Sequence, residues 1–363
     1  MHLRLESRSE PSRAMLVASP LLAGGMTLGA GFLLFLVLGQ RPGAAFQSFF
    51  VAPASSRNSL AELLLKAAPL ILIAQGLAIG FRANVWNIGA EGQLTLGAIA
   101  ASAVAIRFDG VGAGWLLPAM VAAGALGGMA WAAIPAWLRT RFHASEILVT
   151  LMLTYVATLA LSYLVYGPMR DPQGLNFPQS ILFSQAALFP NLVAGTRLNV
   201  SVFLPVIATA AAWLFVAKSF AGYQMLVGGL APLAARYAGF SETRSVWLAL
   251  LIGGATAGLA GVGEVAGPLG QLLPTVSPGY GFAAIIVAFV GRLHPLGIVL
   301  AGLLMSLLYL GGETAQITLQ VPYAVTGVFQ GMLLFCLLGS DLFVFYRVRS
   351  ARGRRRPRVD GRP

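Results

Sequence analysis

Long, uninterrupted runs of apolar residues are the feature that most restricts the folds open to this chain. A bilayer admits only helices or closed β-barrels, because every backbone polar group must be bonded within the spanning structure. Barrel strands alternate apolar and polar side chains, whereas these runs are apolar at consecutive positions. We therefore predict an all-α integral membrane protein with about ten transmembrane helices, at 15–39, 67–81, 86–106, 115–138, 147–166, 200–217, 246–262, 282–291, 296–310 and 324–345.

The composition agrees with a chain that lies mostly in lipid. Hydrophobic residues make up 57% of the chain and charged residues 10%, and the mean hydropathy is +0.79. A soluble domain carries about 25% charged residues. Two runs, 67–81 and 282–291, are shorter than the roughly 20 residues that cross a bilayer. They are tilted, or longer than hydropathy shows, or broken helices buried among their neighbours, so we expect short or broken helices in the fold.

Basic residues predict the orientation of the chain. The net charge is +12, and most cations fall on one side if both termini are cytoplasmic, as the positive-inside rule requires. We predict a cytoplasmic arm at 1–14, a transmembrane domain at 15–346 and a cytoplasmic tail at 347–363. The tail holds eight arginines, from Arg347 to Arg362, which is typical of a topology anchor in contact with anionic membrane lipid. A protein partner or nucleic acid is the alternative, and we expect no nucleic-acid partner.

A polar stretch at 218–244 lies between two predicted spans on the cytoplasmic side. Within it, Pro232 suits the first turn of a helix and Gly239 suits a left-handed stop. The helix between them has about two turns, which is too short to be stable alone in water. Its exposed face would carry Leu233 and Tyr237. It either docks a soluble partner or lies on the bilayer or on the protein's own spans.

A second polar cluster lies in or beside the third predicted span. It contains Asn84, Asn87, Glu91 and Gln93, which cannot all face lipid because unbonded polar groups are costly there. If the helix begins at Trp86, Asn87 and Glu91 share one face. The cluster is either a polar patch along a translocation path or a structural network that ties broken helices together.

The segment 263–282 is rich in glycine and proline and is predicted to be irregular. It begins near Glu264 and contains Gln271. Irregular backbone at membrane depth is tolerated only where it is buried in protein or lines a cavity. Glu264 and Gln271 therefore either line a solute path or are exposed outside the membrane. The preceding Gly254 and Gly258, four residues apart, are interpreted as helix-packing positions rather than a nucleotide loop.

Motifs for enzymatic chemistry are missing from the sequence. It contains no HExxH, no GxxxxGK[ST] and no GxSxG pattern, and its three histidines lack metal-ligand spacing. We expect no catalytic residue, no metal and no cofactor, and we predict that the protein is not an enzyme.

Four segments in order resemble permease subunits of ABC importers for simple sugars and nucleosides. They read RANVWNIGAEGQLTLGA at 82–98, ASEILVTLMLTYVA at 144–157, GYQMLVGGLAPLAARYAGFS at 222–241 and GYGFAAIIVAFVGRLHPLG at 279–297. The resemblance covers about 67–339 and is greatest to nucleoside permeases paired with a lipoprotein of the basic membrane protein type. It implies the permease fold of ABC importers.

The resemblance also implies partners and a location. An ABC ATPase subunit would be a separate chain, which fits the missing Walker motif. A solute-binding lipoprotein would deliver a nucleoside or simple sugar, and a second permease subunit, identical or paralogous, would complete the pathway. The protein would be a multi-pass protein of the bacterial cytoplasmic (inner) membrane.

The same resemblance assigns candidate residues. The stretch at 218–244 becomes the cytoplasmic coupling loop, with ATPase contacts at Pro232, Leu233, Ala234, Ala235, Arg236, Tyr237 and Gly239. A neutral, hydroxyl-rich solute needs amides, hydroxyls and aromatic rings along its path, so the path candidates are Asn84, Asn87, Glu91, Gln93, Thr154, Tyr155, Glu264 and Gln271.

Three positions depart from the family pattern. Ala231, Ser145 and Thr154 stand where asparagine is expected, and alanine at 231 cannot cap the helix that follows.

Two other functions compete with the importer. An ATPase-independent secondary transporter or channel would need ionisable residues in mid-span, but Glu91 and Glu146 lie near predicted span ends. An intramembrane enzyme would need a convergent set of acid, base or metal ligands, which the sequence lacks.

Overall fold

The computed structural model describes residues 2–7, 13–322 and 324–351. Residues from 352 onward in the predicted tail, and 1 and 8–12 in the predicted arm, lie outside the described residues. The helices are α1 (Arg13–Val37), α2 (Pro42–Phe46), α3 (Arg57–Arg82), α4 (Ala90–Arg107), α5 (Leu116–Phe142), α6 (Glu146–Tyr166), α7 (Phe203–Lys218), α8 (Phe220–Leu230), α9 (Pro232–Tyr237), α10 (Glu242–Val265), α11 (Tyr280–Val290), α12 (Pro295–Leu319) and α13 (Ala324–Phe345), and the strands are β1 (His2–Ser7) and β2 (Tyr346–Ala351).

The chain divides into two units, one of which is 1–42 with 327–363. In it α1 packs on α13, with the rings of Phe35 and Phe329 centred 5.6 Å apart and the hydroxyls of Ser19 and Ser340 3.0 Å apart. The strands β1 and β2 pair antiparallel, from His2 opposite Ala351 to Ser7 opposite Tyr346. No strand was predicted here, although both segments alternate apolar and polar residues, as strands do.

The larger unit, 43–326, is built around α10. Ser241 begins this helix by accepting a hydrogen bond from the backbone N–H of Arg244, as helix-capping serines do. Further along, Gly258 meets Gly97 of α4 and Gly128 of α5. A Cβ atom at any of the three would overlap the backbone of a neighbouring helix. The glycines therefore let three helices cross at backbone contact, which confirms the packing interpretation of this run.

Helix lengths confirm most of the predicted spans. In the part of the chain that the structure describes, eight helices are long and apolar enough to cross a membrane: α1, α3, α5, α6, α7, α10, α12 and α13. The predicted run 67–81 belongs to the 26-residue α3, so hydropathy underestimated it. The run 282–291 is short in the structure too, because α11 has 11 residues.

The start of the third predicted span was wrong. Residues 85–89 are not helical, and α4 begins at Ala90. Before them, Asn84 adopts a left-handed backbone conformation with φ of 56°. Gly89 lies against the backbone of Thr150 in α6, where a side chain would overlap it. The chain therefore has no regular secondary structure at 85–89, and the helical face proposed for Asn87 and Glu91 does not exist.

Candidate functional site

The short helix α9 forms where the sequence predicted it. Pro232 occupies its first turn, and the chain leaves it at Gly239, which has φ of 77°. The side chain of Ala231 supplies no cap, as expected. Its side chains are strongly exposed at Leu233 and Tyr237, by 83% and 97%. Two large apolar groups are thus presented by a helix too short to be stable alone.

One residue assigned to that exposed face lies elsewhere. Ala235 is buried against the protein and helps to hold α9 in place, so the exposed face of α9 is formed by the other residues. Pro232, Ala234, Arg236 and Gly239 are exposed.

Beside α9 lies a cavity of about 550 Å³, which we call the α9 cavity. It is lined by Leu233 and Arg236 from α9, by Arg139 at the end of α5, and by Glu242 at the start of α10. Arg139 is already paired with Glu146, whereas Arg236 makes no ion pair within the described ranges. The exposed charge of Arg236 is therefore available to a partner.

A second helix in the loop, α8, was missed by the sequence analysis. It is capped by Ser219, whose hydroxyl accepts a hydrogen bond 2.9 Å long from the N–H of Gly222. Gly229 lies so close to the carbonyl of Arg82 that a side chain would overlap it. The guanidinium of Arg82 in turn donates two hydrogen bonds, of 3.1 and 2.8 Å, to the carbonyl of Leu293. Backbone contacts thus connect the α8–α9 loop to the end of α3 and to the turn between α11 and α12.

The polar side chains at 84–93 all form hydrogen bonds within the protein. The amides of Asn87 and Gln93 bond to each other twice, over 2.8 and 3.1 Å. Glu91 accepts a hydrogen bond 2.6 Å long from the N–H of Gly281, in the first turn of α11. Asn84 is exposed and accepts a hydrogen bond from the indole of Trp86. Asn87 and Gln93 satisfy each other and Glu91 is satisfied by α11. The geometry therefore favours the structural alternative for these three residues.

Thr154 and Tyr155 point in different directions from α6. Thr154 is buried, and its hydroxyl donates to the carbonyl of Thr150. Tyr155 is 60% exposed on the outer face of the helix. The structure therefore does not bring these two path candidates to one surface.

At the opposite end of α10, Glu264 lines a cavity of about 400 Å³, which we call the Glu264 cavity. The first turns of α3 contribute Glu62 and Lys66 to it, and the loop before α7 contributes Arg197. Gln271 lies in the same irregular segment as Glu264 but does not line this cavity.

Both cations that line this cavity form ion pairs, and neither pair was predicted from the sequence. Arg197 donates two hydrogen bonds to Glu62, of 2.9 and 2.7 Å. These bonds raise the pKa of Arg197 above its ordinary value. Lys66 lies 2.8 Å from Glu313 of α12. No local pattern signals such pairs, because their members are more than 130 residues apart in the chain.

Possible metal ligands do not cluster in the described part of the chain, where no group of three or more His, Cys, Asp or Glu side chains is suited to hold a metal ion.

The chain from 59 to 338 matches the family described as the permease component of the branched-chain amino acid transport system. The chain belongs to this family. The permease is 36% identical to the glucose ABC transporter permease protein of Haloferax volcanii, over 98% of this chain and 96% of that protein. It is 30% identical to the guanosine ABC transporter permease protein of Bacillus subtilis, over 92% and 95%. It is 29% identical to the nucleoside ABC transporter permease protein of Lactococcus lactis subsp. cremoris, over 83% and 84%.

No solved structure matches the permease significantly. The family and the apolar helices together make it a multi-pass membrane protein and the permease subunit of an ABC importer, a class that works with an ATPase and a binding protein.

Proposed function

We propose that this permease carries a nucleoside or a simple sugar across the cytoplasmic membrane of a bacterium. An extracytoplasmic binding lipoprotein delivers the solute, and ATP hydrolysis takes place on a separate ATPase subunit, so the permease itself is not an enzyme. A second permease subunit, identical or paralogous, completes the pathway. The relatives named for glucose, guanosine and nucleosides support this solute class.

The observation that carries the proposal is the exposed helix α9. In the proposed orientation both termini, the arm at 1–14, the tail at 347–363 and the loop at 218–244 are cytoplasmic. Leu233 and Tyr237 then fill a groove on the ATPase, and Arg236 pairs with one of its acidic residues. Apolar anchors beside a charge are typical of the centre of a protein interface.

The contacts behind α9 supply a route for motion. A displacement of α9 moves α8, whose Gly229 lies on the carbonyl of Arg82. Arg82 is bonded to Leu293, at the turn that precedes α12. Closure of the ATPase thereby changes access to the pathway by shifting α3 and α12, two helices whose far ends carry Lys66 and Glu313.

Uptake in proteoliposomes tests the function. The permease is assembled with its ATPase and second permease subunit, and entry of radiolabelled guanosine and D-glucose is measured with the binding protein outside. We expect uptake of at least one solute with ATP, and none with ADP or with the permease alone. ATP-independent uptake by the permease alone would instead establish the secondary transporter or channel.

A further inference from the structure

The Glu264 cavity is lined by two carboxylates, Glu62 and Glu264, and by two cations, Lys66 and Arg197. Glu62 is bonded to Arg197, and Glu313 to Lys66. Both cations near Glu264 are therefore engaged with another acid. The carboxylate of Glu264 receives no hydrogen bond from any of the described residues, although the residue is only 9% exposed.

A buried carboxylate without a donor is costly, and it is an acceptor with two free oxygens. The chain does not satisfy these oxygens, but the cavity gives a small molecule access to them. Its volume of about 400 Å³ lies in the range of small-molecule sites. We therefore expect a ligand to supply the hydrogen-bond donors that these two oxygens lack.

The charges around the cavity restrict that ligand. Both signs of charge line the cavity: the cations Lys66 and Arg197, and the carboxylates Glu62 and Glu264. The two cations oppose a cationic ligand and the carboxylates oppose an anionic one. A neutral molecule is repelled by neither set of charges. If it carries two neighbouring hydroxyl groups, each hydroxyl can donate a hydrogen bond to one oxygen of the Glu264 carboxylate.

We propose that the Glu264 cavity binds the vicinal hydroxyl pair of the transported solute, with Glu264 as its acceptor. This rests on the proposed function and adds to it the first contact between solute and permease. Bonds to a charged acceptor are about twice as strong as neutral ones, so a solute that lacks the two hydroxyls is rejected at this point.

Thiol protection at a single introduced cysteine measures binding here. Cys336 is the only cysteine of the chain, so the Cys336→Ala, Thr275→Cys variant carries one thiol, placed at an exposed position that lines the cavity. The variant is held in lipid nanodiscs, and its reaction rate with a polar maleimide is followed against the concentration of guanosine or D-glucose. The matched probes are 2′,3′-dideoxyguanosine and 2,3-dideoxyglucose.

We expect at least one diol to slow labelling while its dideoxy partner does not. Adding Glu264→Gln should raise the half-protecting concentration by about tenfold or more, because a bond to a charged group is lost. The control Glu242→Gln changes an exposed carboxylate at the opposite end of α10, outside this cavity. It should shift that concentration by less than about threefold, as expected for an exposed charge.

Three results would overturn the inference: no protection by either diol, equal protection by a diol and its dideoxy analogue, or unchanged protection in Glu264→Gln. If Glu264→Gln does not fold, Glu264→Asp replaces it, because aspartate keeps the charge but is shorter by one methylene group. A diol that protects Glu264→Asp as well as it protects the chain with Glu264 would count against the proposal. Uptake of the same solutes by the assembled transporter tests the proposed function separately. Uptake without thiol protection would contradict only the binding site at Glu264 and would leave the proposed function standing.

Discussion

The α9 cavity and the Glu264 cavity lie at the two ends of α10, about 35 Å apart along the helix, and they are held together differently. At one end, Leu233 and Tyr237 are exposed on a helix that makes no ion pair within the described ranges. At the other end, ion pairs tie α3 to α12 and to the loop before α7. The contrast indicates that a partner completes the first end, while the chain itself completes the second and leaves only Glu264 for a small ligand.

Charge reversal in α9 gives the largest expected effect. In Arg236→Glu we expect ATP-driven uptake to fall by about thirtyfold or more, because the pair with the ATPase becomes a repulsion. Uptake into proteoliposomes measures the fall. Protection of Thr275→Cys by the diol should stay unchanged, since the change lies at the other end of α10.

Arg244→Glu is the matched control for that variant. Arg244 is exposed in the same loop but does not line the α9 cavity, so uptake should remain within about threefold of the wild type, as expected for an exposed charge. Similar losses in the two variants would show that net charge, rather than a contact at Arg236, governs assembly.

A break in the ion pair that joins α3 and α12 should have a moderate effect on stability. The side chain of Lys66 is 17% exposed and that of Glu313 38%. Lys66→Met should lower the free energy of unfolding by about 1–2 kcal/mol, because it leaves Glu313 unpaired. Unfolding in mild detergent, followed by circular dichroism, measures the change.

Two further variants sharpen this measurement. Arg197→Met removes a cation that is 62% exposed and should cost less than about 1 kcal/mol. Lys66→Met with Glu313→Leu should recover part of the loss, because no charge is left unpaired. A double variant less stable than Lys66→Met would contradict the proposed cause.

The smallest expected effect concerns the missing cap of α9. In Ala231→Asn, the new side chain can accept a hydrogen bond from the N–H of Leu233 or Ala234, which should stabilise α9 by about 1 kcal/mol. Slower hydrogen exchange at these two amides, measured by mass spectrometry, would show it. If exchange is unchanged, the cap does not form, and the burial of Ala235 and the existing backbone bonds are sufficient to hold the helix.

Local sequence signals allowed part of the fold and of the candidate site to be predicted. Pro232 and Gly239 mark the ends of α9 because each acts on its own backbone torsions. The Glu264 cavity has no such signal, because its charges come from distant parts of the chain. Glu62 and Lys66 also lowered the hydropathy of the first turns of α3, so the predicted span began ten residues too late. Their pairing with Arg197 and Glu313, which offsets their charge, exists only in the folded protein.

The amides at 87 and 93 show a second reason why part of the candidate site could not be predicted from the sequence. Their residue types predicted that the two amides form hydrogen bonds within the protein or line a path. The sequence could not decide between these two alternatives. The non-helical backbone at 85–89 places Asn87 within hydrogen-bonding distance of Gln93. The same segment lies against α6 at Gly89, a contact between residues far apart in the chain.

The crossing of Gly97, Gly128 and Gly258 restricts how this sequence can diverge. An added methyl group at one of them collides with the backbone of another helix, and no exchange at the partner can compensate, because no residue is smaller than glycine. All three positions are therefore expected to remain glycine wherever this crossing is kept. A relative with alanine at one of these positions should have helices that cross further apart, and with them a differently shaped passage.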